Sequence, residues 1–378
     1  MTINNEHKKL NVPNLRFPEF QGEWKEHKLE DITAEIGDGI HATPIYDDNG
    51  TFYFVNGNNI SEYGIIITAT TQKVTEEEAL RNNASALNSY SILLSINGTV
   101  GNVALYKNES IMLGKSACYI NVSSNINRNY IFYYLMMPKC QFYFTSELTG
   151  TTIKNLSLKS VRKTKVLLPN ANEQSKIARL FDAINERIAT QNKIIDKLQS
   201  LIKGIAQNIV RNNKPNVRLS ECLECKSSTL QESDVCEQGT YPVYGANGIV
   251  GYLDNYNTEG EAVYIIKDGS GVGTVSYVKG KCSATGTLNT LQAKEGYSLQ
   301  YLYYLLKVFN FEPYKTGMAI PHIYFKDYGK AKFFCPSYTE QLQYTQLLSA
   351  IDNKLSIEQN ILTELTLQKQ CLLRQMFI

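Results

Sequence analysis

Two glycine-containing stretches carry residues that could hold a nucleotide phosphate. Gly269–Gly273 (GSGVG) has the glycines of a phosphate-binding loop, but the TVSYV that follows is a strand pattern, whereas such a loop leads into a helix N-terminus. Gly114–Ser116 (GKS) matches the end of a Walker A loop, yet Glu109 stands where that loop requires its first glycine. We therefore predict a hairpin turn at the first stretch and no ATP site at the second.

Carboxylate, histidine and cysteine side chains could instead supply metal chemistry. Glu23–Lys28 contains two E-x-K triplets, half of a metal-dependent nuclease motif, but no aspartate precedes them because the first in the chain is Asp31. Cys222 and Cys225 have the spacing of zinc ligands, but no second closely spaced pair of cysteines or histidines follows. The histidines are not spaced as a metal pair, and no NPPY-like adenine-methylating loop occurs. We expect no catalytic residue, no metal site and ordinary free cysteines.

The elements that would have to position any functional side chain contain an internal repeat. Pro169–Ile209 and Pro336–Met376 align without a gap at a spacing of 167 residues, and each opens with P-x-x-x-E-Q. In both segments apolar residues recur at alternating steps of four and three, which is typical of the seam between two paired helices. A polar residue breaks both seams at the equivalent position, Gln191 and Glu358. The repeat therefore predicts two long helices that pack against each other.

The predicted helices should pair antiparallel, since a two-fold relation between the repeats turns the second copy end for end. About 37 residues at ~1.5 Å each give a rod of roughly 55 Å. Asn172 and Thr339 can cap the two helix starts. The predicted seam consists of Ile177, Phe181, Ile184, Ile188, Ile195, Leu198, Ile202, Leu348, Ile351, Leu355, Leu362 and Leu365.

The sequence before each long helix predicts a mixed, strand-rich domain. Short apolar runs alternate with Gly, Asn and Asp, as in strands joined by tight turns, and short helices are expected near 129–137 and 299–308. We predict an α+β chain with globular domains at 1–168 and 212–335 and long helices at 169–211 and 336–378, related by a pseudo-two-fold repeat. Three further matches extend the repeat into the domains: Thr149–Ile153 with Thr316–Ile320, Tyr133–Leu135 with Tyr303–Leu305 at a spacing of 170, and Ile96–Leu105 with Lys267–Ser276.

Composition limits the partners and the cellular compartment that the chain can have. The net charge is only +2, so any nucleic-acid surface must be local. The first residues lack the apolar stretch of a signal peptide, and no run approaches the about 18 apolar residues of a membrane helix. Eight cysteines without regular spacing suit a reducing compartment. We expect a cytoplasmic protein with no membrane partner.

This arrangement of two domains and two repeated helices resembles the specificity subunit of type I restriction-modification enzymes. The resemblance covers essentially the whole chain and includes both P-x-x-x-E-Q helix starts. Tyr241–Tyr256 and Ile265–Lys281 look like a common form of the family's second recognition domain. Gly37–Asp48 and Asn56–Glu62 are similar to the opening of its first recognition domain.

The resemblance implies a non-catalytic subunit that reads double-stranded DNA. Each globular domain would be a target-recognition domain for one half of a bipartite site, while the helices would set the spacing and dock two modification subunits. Two restriction subunits, which are motor-nucleases using ATP and Mg²⁺, would complete the complex. S-adenosylmethionine would bind on the modification subunits, so no cofactor is expected on this chain.

Polar side chains on loops are the candidates for reading DNA, because base edges are read by hydrogen bonds and phosphates by amines. A structural adaptor with two ligand-binding domains and no DNA is the alternative, and an enzyme with an unrecognised site is a third possibility. The candidate base-reading residues are His41, Thr43, Asn56, Asn58, Asn59, Asn97, Lys115, Tyr244, Asn247, Lys267, Ser270, Lys281, Thr285 and Thr287. The candidate phosphate contacts are Lys154, Lys159, Lys163, Lys326 and Lys330.

Overall fold

The computed structural model describes residues 11–82, 84–150 and 154–378. The chain divides into two compact units: one runs up to Thr190 and also includes Leu362–Ile378, and the other is Gln191–Ile361. Each unit contains one globular domain and a segment of both long helices.

The first domain combines small sheets with short helices. Its described strands are β1 (Lys25–Lys28), β2 (Thr33–Asp38), β3 (Phe52–Val55), β4 (Ile60–Ser61), β5 (Gly64–Ile65), β6 (Lys73–Val74), β7 (Ser91–Ser95), β8 (Val103–Leu105), β9 (Ile111–Leu113), β10 (Ala117–Val122) and β11 (Lys165–Leu168). Its described helices are α1 (Glu76–Arg81), α2 (Arg128–Met136), α3 (Pro138–Ser146) and α4 (Leu158–Arg162). The central strands β7 and β10 are buried along their whole length, as expected for strands covered on both faces.

The first long helix leads into the second domain, and the second long helix follows it. These elements are α5 (Ala171–Arg211), β12 (Val217–Arg218), α6 (Leu219–Cys222), β13 (Leu223–Ser227), β14 (Tyr241–Gly245), β15 (Gly248–Leu253), β16 (Glu261–Ile266), β17 (Val275–Lys279), β18 (Ser283–Ala284), β19 (Leu288–Ala293), α7 (Leu299–Leu306), α8 (Phe325–Tyr328), β20 (Lys332–Phe333) and α9 (Tyr338–Met376).

The two domains share one topology, so the predicted internal repeat is confirmed. The first contains an antiparallel sheet of order β2-β10-β7-β8, and the second has its counterpart in β13-β19-β16-β17. The parallel pair β3–β9 corresponds to β14–β18, and β1–β11 corresponds to β12–β20. Gly269–Gly273 joins the antiparallel strands β16 and β17, which confirms the predicted hairpin turn.

The predicted alignment of Tyr133–Leu135 with Tyr303–Leu305 is wrong by one residue. Asn127 caps α2 and Ser298 caps α7 in the same way, each accepting a hydrogen bond from the backbone N–H three residues later. These caps are 171 residues apart, whereas the matched tyrosine runs are 170 apart. Both helices contain three tyrosines, so letter matching alone selects the wrong register.

The predicted helix caps Asn172 and Thr339 are also wrong. The side chain of Asn170 accepts a hydrogen bond from the backbone N–H of Glu173 at 3.0 Å. At the start of α9, the Ser337 hydroxyl accepts the bond from the backbone N–H of Glu340 at 3.4 Å. Both helices therefore begin nearer their proline than predicted, and Asn172 and Thr339 lie inside the first turn.

The two long helices pair antiparallel, as predicted. In the first unit the ring of Phe181 lies 5.7 Å from that of Phe377. In the second unit Nε2 of Gln191 donates to the backbone oxygen of Glu358 at 2.9 Å. The partners thus run in opposite directions along α5 and α9. Among the predicted seam residues, Leu198, Ile351 and Leu362 are half-buried and the others are buried. No helix in the described part of the chain is long and apolar enough to cross a membrane.

In the first unit the helix seam and the domain share one hydrophobic core. Phe181 and Ile188 of α5, and Phe377 directly after α9, belong to the same cluster as Trp24 and Tyr130 of the domain. Burying such side chains contributes about 1.5–3 kcal/mol each. The helices are therefore an integral part of this unit's core.

Candidate nucleic-acid interface

In the first domain, three turns that carry candidate residues meet at one end of the four-stranded sheet. They come together because the last residue of β7, Ser95, pairs with the first residue of β10, Ala117. The backbone N–H of Gly57 donates to the Ser116 hydroxyl at 2.8 Å, and that hydroxyl donates to Oδ1 of Asn56 at 2.9 Å. The structure thus unites the loop at 56–59, the turn after β7 and the turn before β10.

The candidate residues of this first-domain surface divide into supporting and exposed side chains. Oδ1 of Asn59 accepts from the backbone N–H of Asn56 at 3.0 Å, and Nδ2 of Asn59 donates to the backbone oxygen of Ile66 at 3.0 Å. The buried side-chain oxygen of Asn97 has no hydrogen-bond partner within the described residues. The exposed candidates are His41, Thr43, Asn58, Lys115 and Lys154.

In the second domain the candidate loops are joined by backbone hydrogen bonds. Lys267 donates to Thr287 at 3.0 Å, and Thr285 donates to Tyr244 at 2.9 Å. Tyr244 packs its ring 5.6 Å from Tyr264, and Thr285 is buried with its hydroxyl 2.8 Å from that of Thr287. We therefore assign Thr285 and Tyr244 to loop support. Lys267 is half-buried, and the exposed candidates are Asn247, Ser270 and Lys281.

A braced loop occurs in both domains at the matched segments Thr149–Ile153 and Thr316–Ile320, which were not among the predicted site residues. Thr149 and Asn155 exchange backbone hydrogen bonds of 3.0 and 2.9 Å, and Thr316 and His322 exchange equivalent bonds of 2.9 and 2.8 Å. In the second domain the brace presents Met318, which is fully exposed. The shared T-G-x-x-I pattern marks these loops in the sequence. Its first-domain residues 151–153, including Ile153, lie outside the described residues.

The lysines predicted to hold phosphates are all exposed. Lys154, Lys159 and Lys163 lie in or beside α4, while Lys326 and Lys330 lie in or beside α8. Nζ of Lys326 lies 5.2 Å from the centre of the Tyr324 ring, and Nζ of Lys330 lies 4.0 Å from Asp327. Exposed ion pairs of this kind contribute little, so these amines remain available to a phosphate.

The glutamine of each P-x-x-x-E-Q motif ties a long helix to its own domain. Nε2 of Gln174 donates to the Pro169 carbonyl at 2.9 Å, and its Oε1 accepts from the backbone N–H of Asn127 at 3.1 Å. Gln341 makes the same two bonds, at 2.9 Å to Pro336 and 2.8 Å from Ser298. Both glutamines are buried, so each helix start is fixed to the cap of a domain helix.

The comparisons with known proteins identify the family of the chain. A family model described as "Type I restriction modification DNA specificity domain" matches residues 21–200 and again residues 213–367. The chain belongs to this specificity family. The two matches correspond to the two repeats, each a domain with most of the long helix that follows it.

Two relatives and a solved structure match this specificity-family chain over most of their own length. A putative type I specificity subunit from Mycoplasma genitalium is 24% identical over 311 residues, covering 76% of this chain and 80% of the relative. The EcoprrI specificity subunit from Escherichia coli is 22% identical over 330 residues, covering 80% and 81%. The crystal structure of a type I system S subunit from M. genitalium has the same fold, with a TM-score of 0.65 at 19% identity over 97% of this chain and 99% of that one.

The glutamate of the P-x-x-x-E-Q motif behaves differently in the two halves of this specificity-family chain. Glu173 is buried, accepts two bonds from Arg16 at 2.7 and 2.8 Å, and lies 3.3 Å from Nε1 of Trp24. Hydrogen bonding to Glu173 raises the pKa of Arg16. Glu340 instead bonds the hydroxyl of Ser337 at 2.7 Å at the exposed start of α9. The repeat therefore keeps the glutamate but changes its partner, from Arg16 in the first half to Ser337 in the second.

Among the described residues of this specificity-family chain, the cysteines do not form a cluster of possible metal ligands. Those residues contain no group of three or more His, Cys, Asp or Glu side chains that could hold a metal ion. Cys222 hydrogen-bonds Cys335, which lowers its pKa, while burial raises the pKa of Cys225 to about 11. Cys222 is therefore partnered with a residue outside the C-x-x-C pair.

Proposed function

We propose that this chain is the DNA-reading subunit of a type I restriction-modification complex. Each target-recognition domain reads one half of a bipartite site, with exposed loop side chains on base edges and the lysines in or beside α4 and α8 on phosphates. The observation that carries this proposal is the duplication itself. One domain topology, one braced loop and one glutamine joint occur twice in a chain that the DNA-specificity family matches twice.

Catalysis belongs, in this proposal, to partner subunits in the cytoplasm. Two modification subunits carry S-adenosylmethionine and dock on the long helices, and two restriction subunits use ATP and Mg²⁺. A second solved structure has a TM-score of 0.53 and is 15% identical over 94% of this chain. That structure is described in terms of complex assembly and conformational transition of the type I system.

A structural adaptor that joins two ligands without DNA is the rival function. The exposed lysines Lys154, Lys159 and Lys163 of the first domain favour DNA, because sequence-independent affinity for DNA comes from amines on phosphates. Lys154 is also joined to the turn after β7, since its backbone oxygen accepts from Gly98 at 3.3 Å.

Reconstitution with a methylating partner tests the proposal. The full chain and the partner are mixed with random duplexes and S-adenosylmethionine, and gel shifts and methylated positions are recorded. We expect a shift that weakens as salt rises and methylation at a single two-part sequence. Binding of the partner without any duplex shift would establish the adaptor instead.

A further inference from the structure

Lys369 is a charged residue at a position of the helix seam. It lies 167 residues after Ile202, which is buried in the seam of α5, and Lys369 is itself only 4% exposed. Burying an ammonium group has a large desolvation cost, and an apolar side chain at such a site is often neutral or stabilising. The lysine therefore requires a reason other than helix pairing.

That reason is an ion pair with the first recognition domain. Nζ of Lys369 lies 2.5 Å from Oε2 of Glu62, with 6% of the lysine side chain and 36% of the glutamate side chain exposed. Glu62 lies in the turn of the hairpin β4–β5, between Ser61 and Gly64. A residue near the end of α9 thus holds a hairpin of a domain that precedes it by about 300 residues.

The same hairpin is continuous with the predicted reading loop. The backbone N–H of Ile66 donates to the Asn59 carbonyl at 2.7 Å, and Nδ2 of Asn59 returns a bond of 3.0 Å to Ile66. Nδ2 of Asn102, beyond the turn after β7, donates to the carbonyl of Ile60 at 3.0 Å. Hairpin, loop 56–59 and the turn after β7 therefore form one braced body.

We propose that Lys369 is a positioning residue for the first target-recognition domain. Through Glu62 it fixes the β4–β5 hairpin, and with it the loop at 56–59, on the second long helix. This inference rests on the proposed function. The second domain cannot form an equivalent ion pair at this seam position, because the uncharged Ile202 occupies it. Loss of the Lys369 charge should therefore affect one half-site and spare the other.

The test measures base discrimination separately in the two half-sites. The full chain is reconstituted with its methylating partner, and methylation rates are compared between the cognate duplex and duplexes with one changed base. Lys369→Met keeps an apolar stem in the seam and leaves Glu62 facing solvent. We expect discrimination to fall about tenfold in the first half-site, the effect of losing roughly one charge-assisted hydrogen bond, and to stay unchanged in the second. Exchange of residues up to Leu168 identifies the first half-site.

A matched control and a rescue separate positioning from general stability. Lys165 pairs with Glu26 at 2.8 Å in the same domain, with 73% and 50% of the two side chains exposed, and Lys165→Met should leave both half-sites unchanged. Lys369→Arg keeps the cation and should retain discrimination. The exchange Glu62→Lys with Lys369→Glu should restore part of what each single change loses.

Three results would overturn the positioning role while leaving the DNA-reading function intact. These are unchanged discrimination in Lys369→Met, equal losses in both half-sites, and equal losses in Lys369→Met and Lys369→Arg. Failure of the wild-type complex to methylate any two-part site would refute the proposed function itself. Hydrogen exchange at 56–66 provides an independent measurement, with faster exchange expected in Lys369→Met and in no control.

Discussion

The contact between Gln191 and Glu358 shows how the two copies of a repeated helix can pair in one register. These residues are equivalent in the repeat, and equivalent positions of two antiparallel copies meet at the midpoint of their pairing. Gln191 donates to both the backbone oxygen and the carboxylate of Glu358. Two glutamates here would repel each other, so the difference between the copies allows the contact. A polar pair in an apolar seam fixes register at some cost in stability.

Acid should weaken this contact. Lys354, 2.5 Å away, and Gln191 both lower the pKa of Glu358 from its usual 4.5. A lowered folded-state pKa contributes stability above the usual value, and that stability is lost as pH falls below 4.5 toward the folded value. We expect the melting temperature of wild type to exceed that of Glu358→Gln at neutral pH, with the gap closing in acid. Glu364→Gln, at an exposed position of the same helix, is the matched control, and an equal loss of melting temperature in both variants at neutral pH would show that the contact contributes nothing.

The seam itself should be sensitive to charge. Ile188 is 1% exposed in the core of the first unit, so Ile188→Asp buries an unpaired carboxylate and should cost several kcal/mol. Lys193→Asp, at an exposed position of the same helix, should be nearly neutral by comparison. Urea unfolding measures both. Equal unfolding free energies in the two variants would rule out the seam as assigned.

The long helices could be predicted from the sequence because their seam is a local, periodic pattern. The cap of α5 could not, since Asn170 and Asn172 are both suitable residue types. In the structure Asn170 accepts from the backbone N–H of Glu173, and Gln174 ties this helix start to the Pro169 carbonyl and the backbone N–H of Asn127. The contact to Asn127 is a tertiary one, 47 residues apart, which the local sequence does not indicate.

The candidate loops were predicted as groups, but the roles of their members were not. Asn56 and Asn58 are the same residue type two positions apart. Asn56 is held by Ser116, 60 residues away, whereas Asn58 is exposed. The contact between Lys369 and Glu62, 307 residues apart, has no sequence signature at all. Such assignments require the tertiary fold.

The length of the helices should determine the gap between the half-sites. Deleting one heptad from each, Gln191–Lys197 and Glu358–Glu364, keeps the seam residues on one face because seven residues are close to two turns. Each helix shortens by roughly 10 Å at ~1.5 Å per residue. Since DNA rises about 3.4 Å per base pair, we expect the gap to shrink by up to about three base pairs, with both half-sites unchanged. Methylation mapping of the reconstituted complex measures this, and an active complex that keeps the original gap would contradict it.

The molecule is duplicated in fold but differs in how its halves are fixed. Both domains are tied to a helix start by the same glutamine. The first domain has in addition the pairs Arg16–Glu173 and Glu62–Lys369. The repeat counterpart of Glu173 is Glu340, which bonds Ser337 instead, and the counterpart of Lys369 is the uncharged Ile202. The first recognition domain is therefore joined to the C-terminal helix by charge as well as by apolar packing.

Exchange of the first domain should change one half of the recognised site. Replacing residues up to Leu168 with the equivalent domain of a relative leaves the second domain and its Gln341 joint intact, so the second half-site should stay the same. The new first half-site should be the relative's. Donor domains with an acidic residue at the position of Glu62 should discriminate best between bases of the first half-site. Lys369 stays in the recipient helix, and without an acidic partner it would be buried unpaired, at a cost of several kcal/mol. Methylation mapping of the reconstituted complex reads both halves at once. A swap that altered bases in both half-sites would show that the two domains do not read independently.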